Sequence, residues 1–460
     1  MASAVSGFRE RIVGKDLLMP VLGGRRVPYV NLDNAATTPP LRTVVDEVAQ
    51  FLPYYSSVHR GSGYKSRVST AAYDEAHRTV ARFVGADPDT AAVVFGKNAT
   101  EALNKLSYRY PLPKDAVVLT TLLEHHSNDL PWRARATVVR AGVTADGRLD
   151  EDDFDRLLDR HRGRVALVTV SGASNVTGFV QPVHRLARKA HAAGASILVD
   201  AAQLAPHRAI DVRDREDPEH LDFVALSAHK LYAPFGTGAL VGHRDLFLQG
   251  APEYRGGGTV DRVTADDVSW ADVPDREEAG SPNVVGAVAL AAALRALEGS
   301  MEEIAAHERA LTSYALRRLR CLPMVKVYGE ADPDRLDDRV GVIPFNVLGV
   351  PHGLVAAVLG FEEGIGVRNG CFCAQPYVAE LLGKGGARGR GDDRPGMVRI
   401  SFGAYNTSDD VDALVEALAR ICRRDYRGRY ERDDDGSYLP ASARPEAPVP
   451  AAALQRARAL

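Results

Sequence analysis

The sequence predicts an α/β protein, a mostly parallel sheet sandwiched by helices. Three observations predict it. Short apolar runs recur at 91–95, 116–120, 165–171, 196–200 and 221–227, as strands buried on both faces require. Segments with helical apolar spacing lie between them, and Val183–Ala193 makes 164–200 one strand–helix–strand unit. Polar and glycine-rich turns stand at the strand exits, where an open parallel sheet binds its ligands.

At 460 residues the chain can bury a sizeable core in two lobes. It divides into an N-terminal arm (1–30) expected to pack with the small domain, a large domain (31–300), a smaller α+β C-terminal domain (301–423) and a tail (424–460). Apolar residues make up 45% and the formal charge is −3, which argues against a general nucleic-acid binder. No apolar run is long enough to span a bilayer, and the first residues lack a signal peptide's apolar core. Four cysteines form no disulfide framework, so a reducing cytoplasm with free thiols is expected.

The elements follow in order. Asn31–Pro40 is turn-rich, because Asn and Asp bond nearby backbone and Pro39-Pro40 bars a helix before Leu41. Leu41–Leu52 has helical spacing, His59–Tyr64 is a glycine-loosened loop, and Tyr73–Val84 is a charged amphipathic helix. The strand Ala91–Phe95 leads through Gly96–Glu101 into a helix from Ala102 to Tyr108. Free N–H groups and partial positive charge at a helix start suit a phosphate; Thr100 is either a plain N-cap or part of that cradle. Strands follow at Ala116–Thr120 and Ala134–Arg140, then a polar helix at Leu149–Arg162. Gly256–Thr259 is a loop too flexible to hold itself. Val284–Leu297, rich in alanine, is a long buried helix and Met301–Leu319 another. The body of the small domain begins near Cys321. There Val340–Leu348 contains Pro344 and is expected as an edge or bulged strand. Pro351–Leu359 is a helix, Val367–Pro376 a loop, Val398–Phe402 a strand and Asp409–Arg420 the last helix. Gly383–Arg394 is glycine-rich and expected to be solvated. Beyond Arg424 a charged, then Pro/Ala-rich tail shows no catalytic residues.

Two strand ends carry the candidate chemistry. The run Leu221–Ser227 exits into Ala228-His229-Lys230, followed by Pro234, Gly236 and Gly238. A lysine between a buried strand and a tight turn is partly desolvated. Desolvation lowers its pKa, and a neutral amine condenses with an aldehyde. Thirty residues earlier the run Ser196–Val199 ends in Asp200. A buried carboxylate needs a cationic partner, and a protonated pyridine nitrogen is one. The sequence has no Walker lysine pattern, so no nucleotide is implied.

Further stretches keep company with these two: Leu32-Asp-Asn-Ala-Ala-Thr37, Glu124-His-His-Ser-Asn128 with Pro131-Trp132, Ser174-Asn175-Val176, Val199-Asp-Ala-Ala-Gln203, Ser227-Ala-His-Lys230, Gly256-Gly-Gly-Thr259, Glu278-Ala-Gly-Ser-Pro-Asn283, Cys373-Ala-Gln-Pro376 and Val398-Arg399-Ile-Ser401. In these, over about residues 30–423, the chain resembles the class V aminotransferase group of pyridoxal phosphate (PLP) enzymes, and most closely the cysteine desulfurase/selenocysteine lyase family. The resemblance implies the fold-type I PLP-dependent transferase fold with PLP as cofactor. It implies that Lys230 holds PLP and moves the substrate α-proton, that Asp200 keeps the ring nitrogen protonated, and that His125 stacks on the ring as a further catalytic group. Ala99, Thr100, Ser227 and His229 then hold the phosphate, and Asn175 and Gln203 bond the ring oxygen. Both amides also fit as ordinary turn residues, and His126 as a buried structural histidine. Thr259 is implied to reach a neighbour's phosphate across a two-fold axis, giving a homodimer with shared sites. Arg399, with Asn175 and Ala35, is implied to hold the substrate; a guanidinium matches a carboxylate's geometry.

Cys373 decides the reaction. In the family a loop cysteine attacks the sulfur of the substrate cysteine, leaving alanine and a persulfide, which a sulfur-acceptor protein collects. This requires a thiolate. The stretch before it departs from the family, which usually has histidine where this chain has Cys371-Phe372. Two thiols one residue apart suit disulfide trapping of a persulfide; as a metal site they are a weak signal. Cys321 and Cys422 fit as small packing residues. The departure leaves open other class V reactions on a small amino acid: C–S lyase, epimerase, decarboxylating or aminotransferase chemistry.

Overall fold

The computed structural model describes residues 6–383, 396–434 and 436–441. The predicted sheet has seven strands, in spatial order Ala91–Gly96, Gly238–His243, Phe223–Ser227, Ser196–Asp200, Val165–Ser171, Val117–Thr121 and Thr137–Ala141. All neighbours run parallel except Gly238–His243, which is antiparallel to both of its partners. That strand is absent from the sequence reading because its two glycines look like turn signals. They are there for close approach instead. A Cβ on Gly238 would sit 2.5 Å from the Asn98 backbone, and one on Gly242 would sit 2.3 Å from the Phe223 ring.

Helices cover both faces, and two start earlier than their apolar spacing suggests. Tyr64–Phe83 begins nine residues ahead of Tyr73. Its first turns bury Ser66 and Ser69, whose hydroxyls donate to Ser57 O and Tyr54 O, so the buried face there is polar. The helix Ala99–Arg109 begins three residues ahead of Ala102, and its N-cap is Asn98, which accepts from Glu101 N. Thr100 is therefore inside the first turn and is not the cap. The expected strand at Ala134–Arg140 is displaced: Leu130–Arg133 is a helical turn and the strand is Thr137–Ala141. Val284–Leu297 is buried as expected, with Asn283 as its cap.

The second sheet has four antiparallel strands, in order Val325–Val327, Val342–Val347, Met397–Ser401 and Arg368–Gly370. The strand holding Pro344 is therefore interior and pairs without a register shift on either side, against the expectation of an edge or bulged strand. Pro344 O accepts from Tyr328 N just past the end of the neighbouring strand, so the missing N–H falls where that ladder has run out. A separate apolar core lies here, around Leu311, Phe345, Leu359, Val398 and Leu414.

The N-terminal segment is divided: Phe8 and Ile12 are buried in the large domain's core, against the expectation that the whole arm packs with the small domain, while residues 18–31 run against this second sheet unit. Leu22 N donates to Phe361 O at 2.8 Å, and Val30–Asn31 pairs in parallel with Ile365–Gly366. The segment expected as a tail from 424 instead opens with a hairpin, Tyr430–Arg432 with Tyr438–Pro440. Glu362, fully buried, anchors it by accepting from Arg427 N, Gly428 N and Tyr430 Oη. An acid in one helix and backbone 65 residues later give no local sequence signal. The solvated stretch expected at 383–394 lies, after Gly383, outside the described residues. Gly256–Thr259 is held by its own turn, Thr259 Oγ1 donating to Gly256 O at 2.8 Å.

Candidate active site

Three parallel strands stop side by side at Ser171, Asp200 and Ser227. A cavity of about 330 Å³ opens at these ends. Ala35, Ala99, Thr100, His125, Asn175, Asp200, Gln203, Ser227, His229, Lys230, Cys373 and Arg399 all line it. Thr259 does not; it is fully buried in its own turn.

Lys230 closes the short helical turn Ala228–Lys230 that follows its strand. The turn is pinned by Ala228 N to Thr237 O (2.9 Å) and by His229 O, which accepts from Thr38 N and Thr37 Oγ1. Burial pushes the Lys230 ammonium down to about 8; Asp200 opposes the shift and Arg399 adds to it. Asp200 is 6% exposed and accepts one hydrogen bond, from Ala202 N at 3.0 Å. Among the described residues no side-chain cation forms an ion pair with it, and burial raises its pKa. Beside it, Gln203 donates to Ala35 O while its Oε1 is buried with no donor. Among the described residues, a buried acid without an ion-pair partner and an amide oxygen without a donor make an unfinished polar floor, which a bound group can complete.

The helix Ala99–Arg109 starts at the cavity wall. Ala99 N donates to Ser227 Oγ at 2.8 Å, and Thr100 Oγ1 lies 2.7 Å from Ser127 Oγ. His125 Nδ1 accepts from Ser127 N, which leaves the ring hydrogen on Nε2. Burial, aided by Lys230, pushes this ring down to about 4, and His229 likewise, so both are neutral. Behind the wall, Glu124 accepts from Thr121 Oγ1, Asn128 Nδ2 and Ser171 Oγ, and burial lifts its carboxyl to about 7.

Arg399 is 3% exposed. It donates to Asp33 (3.1 Å) and to Asn175 O (2.9 Å), and its Nε has no acceptor among the described residues. Burial draws it down to about 10 despite Asp33. Arg368 reaches the other oxygen of Asp33 at 2.9 Å and also lines the cavity. Sequence reasoning singled out neither Asp33 nor Arg368, although both lie inside quoted stretches; only the fold brings residues 335 positions apart into one ion-pair relay.

The cysteine loop is held from three sides. Phe372 and Cys373 both have positive φ, 52° and 54°. For non-glycine residues this costs about 1–3 kcal/mol each and persists only where surroundings enforce it. Here Asn175 Nδ2 donates to Phe372 O, His126 N donates to Cys373 O, and Gln375 N donates to His126 Nε2. The Phe372 ring is buried under Arg399, 5.0 Å from guanidinium carbon to centroid. Thus Asn175 and His126 position the loop that carries the exposed Cys373 thiol.

A lysine and a buried acid at adjacent parallel strand ends, with a helix start on the lysine's side of the same cavity, define a PLP-dependent enzyme of the α/β type. Residues 30–414 match the model of the aminotransferase class-V family, and the chain belongs to that family, in its cysteine desulfurase branch. It is 37% identical over 421 residues to the cysteine desulfurase of Haloferax volcanii, covering 89% of this chain and 93% of that protein. It is 40% identical over 409 residues to a probable cysteine desulfurase of Halobacterium salinarum, covering 86% and 92%. Among solved structures, an apo cysteine desulfurase from Thermococcus onnurineus NA1 superposes with a TM-score of 0.77 at 32% identity, covering 86% of this chain and 95% of that one. The cysteine desulfurase CsdA of Escherichia coli, in its S-sulfonic acid form, gives 0.75 at 32% identity, covering 91% and 98%. No single helix among the described residues is long and apolar enough to cross a membrane.

Proposed function

We propose that this chain converts L-cysteine to L-alanine with PLP and collects the sulfur as a persulfide on Cys373. The observation that carries the reading is that Cys373, on a loop held in a costly conformation, opens into the same cavity as Lys230 and Asp200. The donor set fits PLP: Asp200 for the ring nitrogen, Gln203 and Asn175 for the ring oxygen, His125 for a ring face, and Ala99, Thr100, Ser227 and His229 for the phosphate at the positive end of a helix. When bound, the cofactor supplies an electron sink for the bonds broken at the substrate's α-carbon.

The chain's own residues do the rest. Arg399 offers its unpartnered Nε to the substrate carboxylate, with Asp33 fixing the guanidinium plane. Lys230, lowered to about 8, gives and takes the α-proton near neutral pH. The Cys373 thiolate bonds to the substrate sulfur as the carbon–sulfur bond breaks and its electron pair stays with carbon. One proton then completes the methyl group of alanine, so atoms and charge balance.

The same reading gives a homodimer, in which Thr259 of a second copy reaches the site only by leaving the turn that buries it here, and a sulfur-acceptor protein that unloads Cys373 in a reducing cytoplasm. It divides the chain into an arm (1–30), a PLP domain (31–300) and a small domain (301–423). An apolar core built mainly from residues 311–421 supports a small domain, although Leu32 joins it and Phe372, Tyr377 and Met397 pack into the large core. Product analysis with L-cysteine and a thiol reductant, which frees the persulfide sulfur as sulfide, tests the reaction: alanine and sulfide in equal amounts are expected, and pyruvate in place of alanine refutes it.

A further inference from the structure

Behind the cavity wall lies a second buried acid, which the reaction above does not use. Glu124 is 4% exposed and ties two strand ends to the turn that follows the histidine pair. Thr121 Oγ1 meets its Oε1 at 2.6 Å, while Asn128 Nδ2 and Ser171 Oγ both meet its Oε2 at 2.7 Å. Among the described residues no cation forms an ion pair with it.

What lies behind each partner fixes the direction of its bond. Asn128 Oδ1 meets Thr169 Oγ1 at 2.6 Å and Trp132 Nε1 at 3.4 Å. An indole N–H only donates, so the amide oxygen faces that way and the NH₂ faces Glu124. Thr121 Oγ1 is buried and already accepts from Leu123 N at 3.2 Å, so its hydrogen goes to Glu124. Ser171 is different, because it also lines the cavity. Its hydroxyl hydrogen has two places to go.

An ionised Glu124 accepts from all three partners. A neutral Glu124 needs an acceptor for its own hydrogen, and only Ser171 can become one, by turning its hydrogen into the cavity. Both charge states therefore keep all three contacts. Burial favours the neutral acid and the donors favour the anion. Burial prevails enough to lift the carboxyl to about 7.

We propose that Glu124 and Ser171 form a two-member proton relay into the cavity, with Glu124 as the store. This rests on the reading of that cavity as the site of the cysteine reaction, in which a proton leaves the Cys373 thiol and another completes a methyl group. Going out, the O–H bond at Glu124 Oε2 breaks as Ser171 Oγ takes that proton and gives its own to the cavity. Coming back the steps reverse, and nothing is oxidised or reduced. Several charges surround the relay. Asp200 pairs in register with Ser171 on the next strand, and His125 and His126 adjoin Glu124. Asp129 lies just beyond and takes up both Arg133 and Arg140; Lys230, Cys373 and Arg399 line the cavity.

The test begins with the full chain free of cofactor, read by infrared difference spectroscopy. One protonated buried carboxyl should vanish as pH rises through about 7, and Glu124→Gln should remove that band. Ser171→Ala should keep a titrating band and slow its exchange in D₂O about tenfold or more. With PLP bound, the pH profile of kcat for L-cysteine should lose its inflection near 7 in both variants, while KM stays within about twofold. A wild type that makes no alanine would sink the cysteine reading and leave the infrared result standing. Should Glu124→Gln fail to fold, as read by far-UV dichroism, Ser171→Ala decides alone. No carboxyl titrating near 7, a band that survives Glu124→Gln, exchange as fast in Ser171→Ala as in wild type, or an inflection kept in both variants each overturns the relay.

Discussion

Asp200 gives the sharpest test, because replacing it should act with opposite sign in the empty and the loaded enzyme. In the empty protein the carboxylate is 6% exposed, has one backbone donor and, among the described residues, no ion-pair partner; burial raises its pKa, and Lys230 nearby offsets part of the rise. A raised carboxyl pKa means that the ionised form is disfavoured by folding. The penalty is absent below the unfolded pKa, near 4, grows as pH rises through the folded value, and is level above it. Asp200→Ala removes a poorly satisfied buried group, so the empty variant should be more stable than the empty wild type at pH 7, by about 1–3 kcal/mol less the small cavity it leaves. The gap should close as pH falls toward 4. In the loaded enzyme the same change leaves the pyridine nitrogen without its counter-charge. Breaking a buried pair costs about 3–5 kcal/mol, or roughly two to four orders of magnitude in PLP affinity. Denaturation of empty wild type and variant across pH, beside PLP titration monitored by absorbance, reads both signs. An empty variant less stable than wild type at pH 7, or one that binds PLP as tightly, refutes the reasoning.

Four further outcomes are expected. Lys230→Ala should lose the visible absorbance of lysine-bound PLP and all turnover. In wild type, the rate at which empty enzyme captures PLP should rise with pH around a midpoint near 8, where the amine becomes neutral, rather than near 10.5; stopped-flow absorbance measures it. Cys373→Ser should lower sulfide release from L-cysteine at least about a hundredfold while PLP stays bound, and unchanged release would point to a lyase that needs no thiol. Glu362→Ala should free the C-terminal hairpin by leaving Arg427 N, Gly428 N and Tyr430 Oη without their acceptor; limited proteolysis should then cut beyond residue 424 in the variant while the rest of the chain stays intact.

Much of the architecture was legible along the chain. Strands buried on both faces announce themselves as unbroken apolar runs, and the chemistry clusters at their exits because only there do side chains leave the sheet into open space. Lys230 and Asp200 could therefore be named from local context, whereas Cys373, on a loop away from those exits, was named only through the family resemblance. Expectations failed where a position serves a partner far away in sequence. Gly238 and Gly242 look like turns until the backbones they admit are in view. Pro344 looks like an edge residue until its neighbour strand is seen to end first.

The order of the residues thus settles which segments are strands, which helices, and which side chains stand at strand ends, because hydrophobic period and turn chemistry are local properties. Their joint electrostatics required folding. Asp33 bridging Arg368 and Arg399, His126 and Asn175 gripping the strained Phe372-Cys373 pair, and Ser171 meeting Glu124 all join residues from distant segments. Desolvation and charge pairing act through space, and no pattern along the chain encodes those distances.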